Sequence, residues 1–278
     1  MEIRCGTDKD LIPCWKRRER GTGMKFVTFN IRYDCGEDGN NNFCYRQPFI
    51  LRKLEEERPD IVCFQEVQPH AADWLKEELE GYYVIGCGRN RDLRGEQVTV
   101  AYRKKSMNLM KMDTYWLSEN PNLPGSRYPG QSICPRVCTE AVFEELQSGK
   151  VFRVVNTHLD NEGELARRQG LEQILQKVTG EVFFGEAPVI ITGDFNMEPH
   201  WREMEVLKKY PDFINITENI GVTYHGYWKG KEQTSIDFMI VKGNIRYESL
   251  EKWTDEENGL YLSDHYPVCA VFSLEEDR

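Results

Sequence analysis

No stretch of the 278-residue sequence approaches the ~20 consecutive apolar residues that a bilayer-crossing helix needs. The opening MEIRCGTDKDLIPCWKRRERGTG lacks the apolar core of a secretory signal. Positive charge is also short: 36 Lys and Arg stand against 46 Asp and Glu, a formal net charge of −10. Such a chain repels polyanions at long range, so strong nonspecific duplex binding is not expected. Histidine is scarce, with five in the chain. The signatures of several phosphate and acyl chemistries are missing too: there is no GxSxG elbow and no Walker loop. The nine cysteines are odd in number and scattered, which does not suit a disulfide scaffold and favours a reducing cytoplasm. Cys134 and Cys138 form CxxxC, but no second Cys/His pair follows at zinc-site spacing.

What is there is a globular composition. About 40% of residues are hydrophobic and 12% aromatic, enough to bury a sizeable core. Residues 1–23 lack strand or helix periodicity and carry the basic run Lys16-Arg17-Arg18, so they read as a loosely attached N-terminal arm. From Met24 to residue 278 no linker or repeat interrupts the chain. Short β-branched and aromatic runs recur, from KFVTFNI through DIVCFQEV, VFRVVNTHL, PVIITGDF and IDFMIV to YPVCAVF. Helical periodicity is expected at about 47–58, 70–80 and 163–179, the first ended by Arg58-Pro59 and the second closed by Gly81. Strand hairpins between 82 and 155 argue against a purely parallel sheet, within an overall α/β class.

One pattern repeats: an apolar strand runs into a short polar segment. KFVTF leads to Asn30, IVCF to Gln65-Glu66, RVV to Asn156-Thr157-His158-Leu159-Asp160, and VIIT to Gly193-Asp194-Phe195-Asn196. Ser235-Ile236-Asp237 opens another strand, and Ser263-Asp264-His265 precedes the last. Loops at one rim of a sheet are where α/β scaffolds place their chemistry. Gathered together, Glu66, Asp194 and Asp264 would repel unless a cation sat among them. Carboxylates and amides suit a hard, oxygen-liganded ion such as Mg²⁺ or Mn²⁺. Each residue alone is ordinary turn chemistry; the set in order is what carries weight.

At these residues the sequence resembles the endonuclease/exonuclease/phosphatase, DNase I-like superfamily. The motifs FNIRYD, FQEV, NTHLD, GDFN, SIDFMIV and SDHYPV follow the family's order over about residues 24–273, closest in style to its deadenylase-like and phosphatase-like branch. The resemblance implies a four-layer α/β sandwich, two packed mixed β-sheets flanked by helices. It implies a metal-dependent phosphoesterase with Glu66 as the principal Mg²⁺ ligand and Asn30 and Asp264 close to the metal. Asp194 would orient or deprotonate the attacking water, and Asn196 would hold that water or a phosphate oxygen. His265 would bind the phosphoryl oxygen, fixed by Asp237, and His158 would contact phosphate.

Further substrate contacts are expected from Arg32, two positions after Asn30 and so on its face in a strand, and from Arg136, because a guanidinium suits bidentate phosphate binding; a salt bridge to one of the many carboxylates is the equal alternative for both. Tyr224 and His225 stand in a loop that can face the substrate, with a packing role the equal alternative for His225. Arg89, Arg91 and Arg94 read as a solvated basic loop. The acidic, compact chain favours a sugar phosphate, a nucleotide or a short single-stranded nucleic acid over a duplex. A DNA endonuclease or exonuclease, or a non-catalytic module that kept the fold, is the alternative. Nothing in the sequence calls for a membrane surface or an obligate protein partner.

Overall fold

The computed structural model describes residues 23–230 and 232–275. The expected N-terminal arm therefore lies, but for Gly23, outside the described residues. In chain order the strands are β1 (Met24–Asn30), β2 (Ile61–Val67), β3 (Tyr82–Ile85), β4 (Gln97–Arg103), β5 (Met107–Trp116), β6 (Val137–Glu145) and β7 (Val151–His158). They continue with β8 (Val189–Asp194), β9 (Ile214–Asn215), β10 (Asp237–Lys242), β11 (Ile245–Lys252), β12 (Glu256–Glu257), β13 (Leu260–Tyr261) and β14 (Val268–Leu274). Three α-helices are described: α1 (Phe43–Glu57), α2 (Pro69–Glu78) and α3 (Glu164–Thr179).

Two six-stranded sheets result, ordered β11-β14-β1-β2-β4-β3 and β5-β6-β7-β8-β10-β9. Each holds one parallel pair, β1 with β2 and β7 with β8, and each of those pairs is joined through a helix. The remaining pairs are antiparallel hairpins and returns, as the stretch between 82 and 155 led one to expect.

Period-2 alternation divides each strand between two cores. In β1, Val27 and Phe29 face α1 and α2 while Met24 and Phe26 face the other sheet. In β8, Val189 and Ile191 pack under α3 with Leu171, Ile174 and Val178, while Ile190 enters the layer between the sheets. That central layer joins Phe26, Ile61, Val100, Phe143, Phe152, Val154, Met239 and Phe272. Burying each such side chain is worth roughly 1.5–3 kcal/mol. The architecture is thus helix, sheet, sheet, helix: a four-layer α/β sandwich.

Helix α1 begins at Phe43, earlier than the periodicity suggested, with Pro48 inside it. It ends where expected, at left-handed Arg58 before Pro59. Gly81 does not cap α2, which stops at Glu78 with Leu79 as its cap.

Along the inter-sheet face the residues change character toward one rim. In β1, Phe26 gives way to Thr28 and Asn30; in β2, Cys63 to Gln65; in β7, Val154 to Asn156 and His158; in β8, Ile190 to Thr192 and Asp194. The same alternation that builds the dry core therefore delivers amides, carboxylates and an imidazole to one end of it.

Candidate active site

Glu66 owes its position to a β-bulge. The β2–β4 register shifts between Phe64 and Val67, and Glu66 takes a left-handed backbone with φ 61°. An extra residue at a bulge re-aims its side chain. The Glu66 carboxylate accepts from Tyr33 N at 2.7 Å and from Asn30 Nδ2 at 3.2 Å. Asn30 Nδ2 also donates to Asp194 Oδ2 at 2.9 Å, so one amide joins carboxylates from the two sheets.

Asp194 ends β8 directly after Gly193, whose φ of 142° and closeness to β7 demand glycine; a Cβ there would lie 1.8 Å from Thr157 O. Asn196 is also left-handed, with φ 50°. Its backbone N donates to Asp194 Oδ1 at 2.9 Å, and its Nδ2 lies 2.9 Å from His158 Nε2. Such strain in non-glycine residues gathers at functional sites.

His265 Nδ1 lies 2.8 Å from Asp237 Oδ2, and its Nε2 lies 3.7 Å from Asp194 Oδ2. His158 Nε2 approaches the same Asp194 oxygen at 3.6 Å. The two imidazoles have opposite fates. Burial alone would depress His265, but the charge and hydrogen bond of Asp237, with Asp194 and Asp264, hold its pKa well above the ordinary value. His158 reaches Asp194 only at 3.6 Å, without the carboxylate hydrogen bond that Asp237 gives His265. Burial, then the charges of Arg136, Arg89 and His265, push it well below, so it stays neutral and its Nε2 accepts from Asn196. Burial pushes Asp194 up to about 7, His265 opposing that rise and Asp237 adding to it.

The acidic groups cluster tightly. Ligand atoms of Glu66, His158 and Asp194 lie within 4.8 Å of one another, as do those of Asp194, Asp237 and His265. Asp264 stands beside Arg32 Nε at 3.6 Å.

Arg32 does not continue the strand. β1 ends at Asn30, and Arg32 turns left-handed at φ 60°. Its guanidinium binds Asp38 at 3.0 and 3.3 Å and stacks over Tyr33 at 4.4 Å. It neutralises acids at the edge of the site instead of lying free beside Asn30. Arg136 is nine-tenths buried; Nη2 donates to Asn161 Oδ1 at 2.8 Å, Nε lies 3.6 Å from Asp160 Oδ1, and Nε makes no hydrogen bond.

Tyr224 lies at the site, its ring 4.9 Å from that of His265. Of the two readings open for His225, the structure gives the packing role and not the substrate contact. His225 is fully buried among Tyr261, Tyr266, Tyr227 and Trp228, where no substrate reaches it. It supports the site from behind, its backbone N donating to Asp264 O at 2.9 Å.

Sequence reasoning missed the supporting roles of several residues. Arg46, on α1, is fully buried and donates to Asn41 O, Ile31 O, Leu262 O and Arg32 O at 2.6–3.1 Å, tying the segment after Asn30 to the one before Asp264. Asn156 crosses the sheets to donate to Phe64 O and Thr99 O, both at 2.8 Å, and accepts from Gln65 Nε2 at 2.7 Å. Those carbonyls flank the bulge that turns Glu66. Asp160 fastens Ser132, Glu162 and Gly163, and so the loop leading to Arg136. Asn156 and Asp160 stand in the NTHLD segment that the sequence had marked, but without these roles; nothing in the sequence marked Arg46.

Arg89 also departs from expectation. Arg91 and Arg94 are exposed, but Arg89 is largely covered and pairs with Glu96 through contacts of 2.8 and 2.9 Å. Both line a narrow cleft of about 10 Å³, room for about one water, that also takes in Glu66, His158 and Arg136.

The comparisons agree with this geometry. A crystal structure of an endonuclease/exonuclease/phosphatase from Bacteroides vulgatus is 32% identical, with 92% of this chain and 100% of that one aligned and a TM-score of 0.85. An uncharacterised protein of Acanthamoeba polyphaga mimivirus is 28% identical over 247 residues, 82% of this chain and 91% of its own. The mannosyl-6-phosphatase of Bacteroides thetaiotaomicron, 22% identical over 90% of this chain and 100% of that one, shares the fold with a TM-score of 0.79. The model of the Endonuclease/Exonuclease/phosphatase family matches residues 27–265. With that match spanning both sheets and every residue from Asn30 to His265, the chain belongs to the endonuclease/exonuclease/phosphatase family.

Proposed function

We propose that this protein is a divalent-metal-dependent hydrolase of a small phosphoester, in which water attacks phosphorus in line with the leaving group. One observation carries the reading: carboxylates, amides and two imidazoles of opposite charge state, brought from both sheets, share a single rim within hydrogen-bonding reach. Family membership supports it, since relatives act on phosphoesters and generally use a divalent metal.

The donor set fits a hard cation. Glu66 and Asp194 are carboxylates sharing one amide proton donor, and no cysteine joins the acidic clusters among the described residues. Like charges held this close favour a cation between them. Glu66, with Asn30 and Asp264, would hold Mg²⁺ or Mn²⁺, which supplies Lewis acidity and charge neutralisation at a phosphoryl oxygen.

The chain's own groups do the rest. Asp194, its proton affinity raised by burial, accepts a proton from the attacking water, and Asn196 orients that water. Asp237 keeps His265 protonated, so its Nε2–H donates to a phosphoryl oxygen as charge develops there. His158 stays neutral and orients Asn196. The bond from water oxygen to phosphorus forms, the ester P–O bond breaks, and the leaving alkoxide takes up a proton. Arg136 stands ready to contact the substrate from the start of β6, and Tyr224 flanks His265. The acidic surface favours a sugar phosphate, a nucleotide or a short single strand over a duplex.

The test is a Mg²⁺ and Mn²⁺ activity screen across bis-p-nitrophenyl phosphate, p-nitrophenyl phosphate, sugar phosphates, short RNA and plasmid DNA. Turnover of a small ester, abolished by EDTA and by Glu66→Gln, is expected. Turnover of none of them, or turnover indifferent to chelation and to Glu66→Gln, overturns the proposal.

A further inference from the structure

Two bulky residues in succession, Tyr227 and Trp228, hold left-handed backbones, with φ 56° and 57°. Such a conformation is rare in large side chains and persists only where the surroundings fix it. We infer that Tyr227 is a positioning residue for Asp264, its hydroxyl donating to the Asp264 carboxylate when the site holds a divalent ion. The inference rests on the metal-dependent reading above and deepens it.

The strained turn is fastened to the site. His225 N and Gly226 N both donate to Asp264 O, at 2.9 and 3.1 Å. Tyr227 N donates to His225 Nδ1 at 3.2 Å, and Trp228 N to His225 O at 2.8 Å. Lys229 Nζ lies 5.6 Å from the centre of the Tyr227 ring and donates to Asp38 O at 3.3 Å. The turn therefore joins the backbone of Asp264 to that of Asp38, two acids that share Arg32.

The hydroxyl is the anomaly. Tyr227 is more than nine-tenths buried, and its Oη makes no hydrogen bond. A buried donor left unpaired is costly. Burial also pushes its pKa up, so at neutral pH it keeps its proton. The charged groups acting on it are Arg46, Asp264, Asp38 and Arg32. The two arginines carry no acceptor. Both carboxylate oxygens of Asp38 are engaged by Arg32, at 3.0 and 3.3 Å. Asp264 is left. Ser263 Oγ reaches its Oδ1 at 3.2 Å, while among the described residues Oδ2 meets only Arg32 Nε, at 3.6 Å, beyond hydrogen-bonding length.

A donor and an acceptor of one charged neighbourhood are thus both unspent. A cation beside Asp264 would take over from Arg32 the balancing of its charge, and leave the carboxylate free to accept from the hydroxyl. Carboxylates that ligate metals are in turn hydrogen-bonded, and loss of such a partner typically costs ~10–100-fold in metal affinity or activity. A tyrosine that only braced the fold would have its hydroxyl paired already.

The test uses the full chain and Tyr227→Phe. Mn²⁺ binding is titrated by the electron paramagnetic resonance signal of the free ion, and thermal melting is followed in EDTA. The variant should bind Mn²⁺ about tenfold more weakly or worse. In EDTA it should melt no lower than the wild type, because it has lost only an unpaired hydroxyl. Tyr261→Phe, a neighbour in the same aromatic cluster, should bind Mn²⁺ as the wild type does. A smaller loss of affinity in Tyr227→Phe overturns the inference and leaves the hydrolase reading standing. So does a lower melting temperature in EDTA, or failure to fold, since the hydroxyl then has its partner without the ion. An equal loss in Tyr261→Phe also overturns it, by assigning the effect to the cluster as a whole. A wild type that binds no Mn²⁺ overturns the inference and the metal-dependent reading together.

Discussion

Replacing Asn156 by leucine should weaken the fold and disarm Glu66 together. The side chain is fully buried and makes three hydrogen bonds between the sheets: Nδ2 to Phe64 O and to Thr99 O, and Oδ1 from Gln65 Nε2. Leucine has the same branched heavy-atom skeleton, so the dominant loss is polar. Two backbone carbonyls are left without that donor in a dry layer, each at about 1–3 kcal/mol, and Gln65 loses one acceptor while keeping Thr28 Oγ1 and Cys63 O. The sum is about 3–5 kcal/mol. At ~2–4 °C per kcal/mol for a domain near this size, the melting temperature should fall by about 10 °C. Urea unfolding followed by circular dichroism measures this directly. Gln65→Leu alone should also destabilise, yet the double variant should cost less than the sum of the two singles, because each removes the other's unpaired partner. Because the same carbonyls flank the Glu66 bulge, folded Asn156→Leu should need more Mn²⁺ to reach half-maximal rate. A loss below ~1 kcal/mol, or strict additivity in the cycle, would refute the view that this amide braces the bulge.

Three further expectations follow from the site. His265→Ala should cost about 10²–10³ in kcat, by analogy with removing one charge-stabilising donor, and a wild-type rate would remove His265 from the mechanism. Arg46→Met should destabilise by about 3 kcal/mol or more, since its removal strands buried carbonyls on both site segments; denaturant unfolding checks this. His225 is buried neutral, its pKa depressed from 6.5 to about 4 by burial and then by the charge of His265. Its contribution is complete above pH 6.5 and is lost as pH falls through 4, about 3 kcal/mol in all. The stability difference between wild type and His225→Phe should therefore shift toward the variant over that interval, and a difference constant with pH would contradict the assignment.

The strands that form the sandwich's centre were legible because both their faces are dry. DIVCF, RVV and VIIT are apolar throughout, and the polar residues that follow each fall at one rim by simple alternation. The strands that escaped notice are edges: β5, MNLMKMDTYW, and β11, IRYESLEK, expose much of their length and are held by backbone pairing along one side. Their sequences show no sustained apolar alternation because little of them needs to be buried. The bulge at Glu66 was equally hidden, since nothing in FQEV announces a left-handed residue. Arg32 was misplaced for a related reason: period-2 reasoning ran one turn past the true end of β1. Arg89 and Arg94 look alike in the chain, and only the fold covers one with Glu96 and leaves the other in solvent.

The path of the chain through the two sheets has a consequence for synthesis. Strands β5 to β10 form the second sheet as one continuous block, whereas the first sheet closes only when β14 returns to β1, pairing Met24 with Phe272. A ribosome thus exposes the hydrophobic edge of KFVTF throughout the making of the middle block, an invitation to wrong pairing that a holding chaperone would relieve. Asp264 and His265 emerge immediately ahead of that closing strand. A nascent polypeptide stalled before them carries the earlier acids without their final companions, so under the proposed function it would stay inert until its last strand is home.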